Sequence, residues 1–477
     1  MDQSSSPPSY RLLHFLVWCW FVLAFLFSLR NTALAQVPVA FMAATFLAGA
    51  ALVHPSFSGS ARGLLFWVKR IQAVRSTPFL VLVTAATILL RVAWSMWVQT
   101  KPYSDFAVYH QMALDLSQGR PLLPDKPLGY PLLLAIWYWA GREHWPGYLL
   151  NIFFCAGTVL VVYQLSYIVS NSLLTARIAA LLMALWPADI FYSSVLGSEA
   201  AYAFFLWLAC WLFLIALNAV GRSQATRVTL IVISGLVLAF SDTVRPTSLP
   251  LAMPVLGLAL VFGRDPDKRF RVAAGIGFMI LAIAGSLALT RANLHLAPGT
   301  ASMPSQRWGY IFFIGTNSES WGRYNEEDAR LIASLPGDVV EKNVAALRLG
   351  LERIRSDPMA FLALLPKKFV VMWGDDTYGV HYSTVNAGRA ISTSIVGLLN
   401  YASQIFWCLA LLLGLIYLVG ASPDPSGPQI LLLLLVLSTL FFELWEVQPR
   451  YHHFLNPVLA IVAAKGLVAL IEKTEVG

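Results

Sequence analysis

Long apolar runs recur along almost the whole chain and constrain its fold more than any other feature. A bilayer core about 30 Å thick is crossed by a helix of about 20 apolar residues. The chain therefore predicts an all-α polytopic membrane protein with about twelve transmembrane helices. Runs of sufficient length lie at 11–30, 34–54, 78–98, 146–169, 176–194, 198–220, 270–290, 394–420, 429–446 and 453–471, and two more share 227–263, divided by Asp242 to Pro246.

Composition agrees with a bilayer environment. Of the 477 residues, 58% are hydrophobic and only 12% are charged, against about 25% charged in a typical soluble domain. The formal net charge of +8 is explained by basic residues in cytoplasmic loops, so we expect no nucleic-acid partner. The four cysteines lie inside apolar runs without metal-site or disulfide spacing, which favours packing roles for Cys19, Cys155, Cys210 and Cys408.

The N-terminus allows two interpretations. Residues 12–27 form an apolar core, and Ala33-Leu34-Ala35 resembles a signal-peptidase site. Arg30 stands between that core and the site, which favours an uncleaved first helix over a cleaved signal peptide.

Basic loops predict the orientation in the membrane. The loops 55–77, 221–227 and 263–271 carry several arginines and lysines, and counting helices between them puts all three on one face. The positive-inside rule makes that face cytoplasmic. The opposite face, predicted to be the periplasmic face of the inner membrane, receives 100–145 and 292–393, which are too long to be mere connectors.

Both long segments carry helical signals. Residues 104–141 are expected to form two amphipathic helices along the membrane surface. Residues 338–355 have helical periodicity, and Asp357-Pro358 is expected to begin a helix that runs to about Trp373. The predicted units are two N-terminal helices with a basic loop (1–77), a transmembrane core with the first periplasmic loop (78–291), a large periplasmic segment (292–393) and C-terminal transmembrane helices (394–477).

Three carboxylates lie at or inside predicted helix ends. Asp105 follows the third span, where the preceding Ser104 could act as a helix N-cap and leave Asp105 as a charge favoured by the helix dipole. Glu199 begins the sixth span, and a favourable helix-end charge is again the alternative to a functional role. Asp189 lies within the fifth span after Pro187, and a carboxylate at that depth usually faces a cavity or a partner.

Positive charge is predicted on the same face as Asp105 and Glu199. Arg245 lies between two spans, and Arg450 enters the last one. A guanidinium suits phosphate because its planar fork donates two parallel hydrogen bonds. Instead of binding a substrate, Arg450 could anchor the helix end at the membrane interface. The corresponding alternative for Lys367 is snorkelling, in which the charged end of the side chain reaches the interface. His452 and its neighbour lack the spacing of a metal site, so we expect no metal.

Carboxylates and cations on one face suit an anionic, membrane-borne substrate with a leaving group. A base would activate an acceptor hydroxyl, and cations would stabilise a departing phosphate. A transporter or flippase of a lipid-linked glycan is the main alternative, but its charges should lie near mid-membrane in paired halves. A non-catalytic assembly partner would have no need of Asp105.

Several short motifs occur in order along the chain. They are Ser104-Asp105-x-x-x-Tyr109, Pro127-Leu128-Gly129-Tyr130-Pro131, Trp186-Pro187 followed by Ser198-Glu199, Gly315-Thr316-Asn317 with Gly322-Arg323-Tyr324-Asn325, and Arg450-Tyr451. Together they resemble the GT-C superfamily of integral-membrane glycosyltransferases. They look most like its protein O-mannosyltransferase and lipid A aminoarabinose transferase branch, and the likeness covers roughly residues 80–470.

This resemblance implies a function and a set of site residues. It implies inverting transfer from a polyprenyl-phosphate sugar to a lipid, glycan or protein hydroxyl on the periplasmic or lumenal side. Asp105 matches the first-loop carboxylate that serves as general base, and Arg450-Tyr451 matches a late motif near the donor. Some branches carry Asp-x-Asp or Asp-Glu where this chain has Ser104-Asp105, so we expect no cofactor. The predicted catalytic residues are Asp105 and Glu199, and the predicted binding residues are Tyr109, Lys126, Tyr130, Arg245, Lys367, Arg450, Tyr451 and His452.

Overall fold

All regular elements that the structure describes are helical. The structure, a computed structural model, describes residues 8–34, 70–122, 126–138, 141, 144–218, 223–250, 268–296, 308–420 and 429–476. The helices of the first part are α1 (Pro8–Leu34), α2 (Ser76–Val98), α3 (Ser104–Ser117), α4 (Gly129–Trp137), α5 (Trp145–Ser170), α6 (Leu173–Ala184), α7 (Pro187–Tyr192), α8 (Glu199–Asn218), α9 (Gln224–Val244) and α10 (Lys268–Leu296).

The second part continues in the same way. A 3₁₀ helix at Pro449–Leu455 leads directly into the last α-helix. The elements are α11 (Trp308–Gly315), α12 (Glu326–Ser334), α13 (Val339–Ser356), α14 (Pro358–Trp373), α15 (Tyr378–Thr384), α16 (Thr393–Gly420), α17 (Gln429–Leu444) and α18 (Asn456–Val476).

The all-α membrane architecture predicted from the sequence is confirmed. Among the described residues, seven helical segments are long and apolar enough to cross a membrane. The count of twelve stays a prediction, because the run at 34–54 and most of the run after Pro246 lie outside the described residues. The seven segments are Ser76–Val98, Trp145–Ser170, Glu199–Asn218, Gln224–Val244, Arg269–Ala292, Thr393–Gly420 and Pro449–Glu472.

The run 176–194, predicted as one span, is two helices in the structure. Helix α6 ends at Ala184 and α7 begins at Pro187, with Trp186 between them in an extended conformation (φ −62°, ψ 110°). A proline disfavours helical geometry in the residue before it, which accounts for the break. The break turns the Trp186 side chain inward, where its Nε1 donates to Asp376 Oδ2 at 2.9 Å.

Tryptophans bond distant parts of the chain together in the core. Trp207 of α8 donates its Nε1–H to the carbonyl of Phe454 at 2.6 Å. Trp407 of α16 donates to the carbonyl of Trp373 at 3.0 Å. All three tryptophans are fully buried, and a buried indole stabilises the fold both by its area and by its satisfied N–H. The end of α14 and the last 3₁₀ helix are thereby fixed against the transmembrane helices.

The first long segment forms the two predicted helices, α3 and α4, but Ser104 is not the N-cap of α3. Tyr103 occupies the cap position, and no side chain caps the helix there. Ser104 is instead the first helical residue with φ of 47°, a left-handed conformation that costs energy for a residue with a side chain. The helix therefore begins under strain one residue before Asp105.

The second long segment also contains the helices expected from its sequence. Helix α13 begins with a capping box, in which Asp338 and Glu341 satisfy each other's backbone N–H groups. Asp357 caps α14 by accepting a hydrogen bond from Ala360 N at 2.9 Å. Arg353 of α13 pairs with Asp328 of α12 at 2.8 Å, which ties the two helices together.

Candidate active site

A cavity of about 670 Å³ brings together residues from distant parts of the sequence. Three of its lining side chains are cationic: Lys126, Arg245 and Arg450. Its wall also contains three carboxylates, Asp105, Glu326 and Glu446. Pockets of 300–1,000 Å³ suit small ligands, and the three cations are groups that can bind the anionic part of one.

Asp105 uses both of its oxygens in ion pairs. Lys126 Nζ lies 2.8 Å from Oδ1, and Arg450 Nη2 lies 3.2 Å from Oδ2. Burial alone would raise the pKa of Asp105, but the charges and hydrogen bonds of Lys126 and Arg450 outweigh it and lower the pKa to about 2. The carboxylate is therefore ionised at neutral pH, and 38% of its side chain remains exposed to the cavity.

Glu199 lies behind the cavity wall and holds two of its cations. Arg245 Nη2 lies 2.8 Å from Glu199 Oε1, and Arg450 Nε lies 3.6 Å from the same oxygen. Only 3% of the Glu199 side chain is exposed, and it is not among the described residues that line the cavity. This geometry suits a residue that positions Arg245 and Arg450.

Local sequence explains where the cations lie. Arg245 is the C-cap of α9 and precedes Pro246, which keeps it extended (φ −143°, ψ 122°). Arg450 follows Pro449 in the first turn of the 3₁₀ helix. Lys126 comes three residues before Gly129, where a Cβ would lie 2.7 Å from the backbone of Thr243. Only glycine permits this approach of α4 to the end of α9.

Two predicted tyrosines also reach the cavity. The Tyr109 hydroxyl lies 3.4 Å from Ser198 Oγ, next to Glu199 in the chain. The ring of Tyr451 lies 5.5 Å from the guanidinium carbon of Arg245, within the range of a cation–π contact. Tyr109 therefore lies beside the residue that precedes Glu199, and Tyr451 packs against Arg245.

Three predicted binding residues are not among the residues that line the cavity. Tyr130 is fully buried and donates to Asn151 Oδ1 at 2.9 Å. Lys367 Nζ lies 5.7 Å from the ring centroid of Trp321. His452 is also fully buried, with Nε2 at 2.9 Å from Asp376 Oδ1. A 3₁₀ helix has three residues per turn, so His452 points to a different side than the cavity-lining Arg450.

The buried acid Asp189 has partners, as its depth predicted. Its Oδ1 accepts hydrogen bonds from Tyr378 Oη and Asn456 Nδ2, both at 2.9 Å. His453 Nε2 lies 3.2 Å from the same oxygen. This cluster ties the short helix α7 to α15, to the last 3₁₀ helix and to the start of α18.

Sequence reasoning missed several cavity residues. Glu446 and Gln448 precede Arg450 at the end of an apolar run, and their polarity at that position was the available signal. Tyr382, Trp308 and Trp445 also line the cavity. They lie in aromatic-rich stretches of the sequence. The spacing of aromatic residues there does not distinguish a ring that faces a ligand from a ring that packs in the core.

The described residues offer no obvious metal site and no disulfide. No group of three or more histidine, cysteine, aspartate or glutamate side chains in the described part of the chain is arranged to hold a metal ion. The four cysteines are free, and three of them are buried.

Comparisons with known proteins identify the fold. No protein-family model matches the chain, and no curated protein matches it in sequence. The chain is similar to the oligosaccharyltransferase of Archaeoglobus fulgidus solved with zinc and sulfate, at 15% identity and a TM-score of 0.50, over 83% of this chain and 49% of that one. The chain thus spans about half the length of that protein. At this identity the likeness establishes the fold alone.

Two further solved structures have lower similarity. AglB from the same organism, solved with an inhibitory peptide and dolichol phosphate, has a TM-score of 0.49 and 15% identity over 83% of this chain and 50% of that one. ArnT from Cupriavidus metallidurans, solved with undecaprenyl phosphate, has a TM-score of 0.40 and 13% identity over 82% of this chain and 78% of that one.

Proposed function

We propose that this chain is a membrane glycosyltransferase that moves a sugar from a polyprenyl-phosphate donor to a hydroxyl group of a lipid, glycan or protein. The observation that carries the proposal is the pairing of Asp105 with Lys126 and Arg450 in a cavity that a third cation, Arg245, also lines. The fold shared with an oligosaccharyltransferase supports it.

The donor phosphate is the group that the cations would bind. Arg245 and Arg450 each present a guanidinium, which can donate two hydrogen bonds to phosphate oxygens, and Lys126 adds a compact charge. Glu199 holds both arginines in place. Cations fixed before the substrate arrives stabilise the charge that develops on the leaving phosphate.

The reaction would proceed with inversion at the anomeric carbon. The acceptor hydroxyl oxygen forms a bond to that carbon from the side opposite the phosphate, and its proton passes to Asp105. The bond between the anomeric carbon and the phosphate oxygen breaks, and its electron pair leaves with the polyprenyl phosphate. A carboxylate placed to take the proton contributes about 10²–10⁴-fold to the rate.

Donor binding would also change the basicity of Asp105. With a pKa of about 2, the carboxylate paired with Lys126 and Arg450 is a weak base at neutral pH. A phosphate that takes hydrogen bonds from the same two cations would weaken their hold on Asp105. Its pKa would then rise, so the base would become stronger when the donor is present.

The cavity would open to the periplasmic side of the inner membrane. This orientation rests on the basic loops predicted to be cytoplasmic and on the two long segments predicted to lie opposite them. Donor and acceptor would then meet where the lipid headgroups adjoin water.

A reconstitution assay tests the proposal. The purified protein is mixed with a panel of polyprenyl-phosphate sugars and candidate acceptors, and both the glycosylated product and the released polyprenyl phosphate are measured. We expect equal amounts of the two. Transport of an intact lipid-linked sugar across vesicles without cleavage of the sugar–phosphate bond would instead identify a flippase.

A further inference from the structure

Glu446 is a cavity carboxylate that has no part in the phosphate site described above. It follows α17, and its backbone N–H donates to the carbonyl of Ile311 at 2.9 Å. The next residue, Val447, donates to the carbonyl of Gly322 at 3.0 Å. Two backbone bonds therefore fix this short connection against the long segment before α13, and Glu446 is only 8% exposed although it lines the cavity.

The side chain of Glu446 is oriented by a chain of hydrogen bonds. Gln448 Nε2 donates to Glu446 Oε1 at 2.6 Å, and Tyr382 Oη donates to Gln448 Oε1 at 3.1 Å. Because Tyr382 occupies the amide oxygen, the amide nitrogen of Gln448 must face Glu446. Glu446 Oε2 accepts no hydrogen bond from the residues that the structure describes, which leaves it available to a ligand.

The cavity wall that contains Glu446 also contains aromatic rings. The rings of Trp308 and Trp445, both in the cavity wall, pack edge to face with centroids 4.7 Å apart. Phe441 packs against Trp308 at 5.7 Å. Burial, reinforced by the negative charge of Asp105, raises the pKa of Glu446 above its ordinary value despite the bond from Gln448 and the charge of Arg450.

A buried carboxyl group beside aromatic rings is costly unless its oxygens are satisfied. A sugar would suit both the carboxylate and the aromatic rings of this wall. Its hydroxyl groups donate hydrogen bonds to the carboxylate, and its apolar C–H face packs on the rings. Lipid tails would cover the rings but would leave Oε2 without a partner. The wall is therefore better matched to the sugar than to the polyprenyl chain.

We infer that Glu446, positioned by Gln448 and Tyr382, accepts a hydrogen bond from a hydroxyl group of the transferred sugar and so distinguishes the glycosylated donor from the bare lipid phosphate. This inference rests on the proposed function. It makes Glu446 a binding residue for the sugar, and Gln448 and Tyr382 positioning residues.

The test compares two ligands on the full chain. Undecaprenyl phosphate carries no sugar, and the second ligand is the same lipid phosphate bearing glucose, mannose or galactose in turn. Calorimetry in detergent gives the affinity for each. We expect Glu446→Gln to weaken binding of the best glycosylated ligand about tenfold, as loss of a charged hydrogen-bond partner does, while binding of undecaprenyl phosphate stays unchanged.

Three further variants sharpen the comparison. Gln448→Leu removes the bond that orients Glu446 and should reduce the same preference for the glycosylated ligand. Arg450→Lys should weaken binding of both ligands alike, because it changes the phosphate site. Glu352→Gln, at an exposed position of α13 outside the cavity, is the matched control and should change neither affinity.

Other outcomes would refute either the sugar contact of Glu446 or the proposed function. Equal weakening of both ligands by Glu446→Gln, or no weakening at all, would refute a sugar contact. A wild-type protein that binds undecaprenyl phosphate but gains nothing from any sugar would overturn this inference alone, and one that binds none of the ligands would overturn the proposed function.

Discussion

Arg450 is shared between two carboxylates of unlike environment. Its Nη2 reaches the half-exposed Asp105, and its Nε lies near the buried Glu199. A buried guanidinium with one partner removed is costly because its charge stays uncompensated. Glu199 therefore keeps Arg450 ionised and in place when Asp105 or a substrate competes for its other nitrogens.

Changing Asp105 to asparagine separates its chemical role from its structural one. Asparagine keeps the size of the side chain, but it cannot take a proton from the acceptor. Glycosyl transfer by Asp105→Asn should fall at least about a hundredfold. Donor binding should persist, since Lys126 and Arg450 remain. Turnover and donor affinity are measured on the same preparation.

Asp115→Asn is the matched control for that variant. Asp115 lies in the same helix, pairs with Arg120 at 2.6 Å and is not among the described residues of the cavity wall, so its loss should leave turnover unchanged. Full turnover by Asp105→Asn would reduce Asp105 to an ion-pair partner.

The ion pairs of Asp105 also predict how stability changes with pH. The pKa of Asp105 in the folded protein, about 2, lies below its ordinary value of 3.8. A depressed pKa stabilises the folded state above the ordinary value, and this contribution is lost as pH falls towards 2. Thermal unfolding should show wild type more stable than Asp105→Asn at pH 7, with a difference that narrows progressively below pH 4. A difference that is constant with pH would contradict the ion pairing.

At the scale of helices, the contact of α4 with the end of α9 decides how the cavity is assembled. Lys126 precedes α4 and Arg245 ends α9, so the separation of these two helices sets the distance between two cations. Gly129 allows that contact because it has no side chain to hold the backbones apart.

Gly129→Ala should therefore damage both the fold and the site. The added Cβ would lie 2.7 Å from backbone atoms of Thr243 and Val244, which cannot move as a flexible side chain would. Overpacking of this kind typically costs about 1–3 kcal/mol. We expect a lower unfolding temperature in a fluorescence melt together with weaker donor binding, since Lys126 is displaced from Arg245.

Gly277→Ala tests whether the effect belongs to the contact. Gly277 lies within α10, and no heavy atom lies within 4 Å of the Cβ that would be added there. Alanine in a helix interior is favoured over glycine by about 1 kcal/mol, so this variant should unfold at the same or a higher temperature. Equal behaviour of the two variants would show that the α4–α9 contact does not shape the cavity.

At the scale of the whole molecule, the cavity is formed by residues from both long segments and from the start of the last span. Asp105 and Lys126 come from the first segment, and Tyr382 comes from the second. Arg450 lies 345 residues from Asp105 in the sequence. The site therefore requires both segments to lie on the same side of the membrane.

Cysteine labelling tests this requirement. Single cysteines at 120 and 327 should react with a membrane-impermeant maleimide added from the periplasmic side, and one at 266, outside the described residues, should react only after the membrane is opened. The unsubstituted chain measures background from its native cysteines, three of which are buried. Labelling of 120 and 266 from the same side would refute the orientation.

The sequence by itself determined the fold class and most of the helices. Apolar runs of membrane length allow few structures other than spanning helices, and capping residues such as Asp338 and Asp357 act within one turn. Four of the six charged residues that line the cavity were also predicted. Asp105, Arg245 and Arg450 lie at the ends of apolar runs, where charge is scarce, and Lys126 lies in the first long segment.

Only the tertiary structure decided which of those charges meet. Arg450 and His452 are two residues apart, yet one lines the cavity and the other is buried against Asp376. Which residues of the 3₁₀ helix face the cavity depends on how that helix packs against the rest of the protein, and the local sequence does not encode this packing. The same holds for Glu446 and Tyr382, whose role arises from hydrogen bonds through Gln448, between helices brought together by long-range burial of apolar surface.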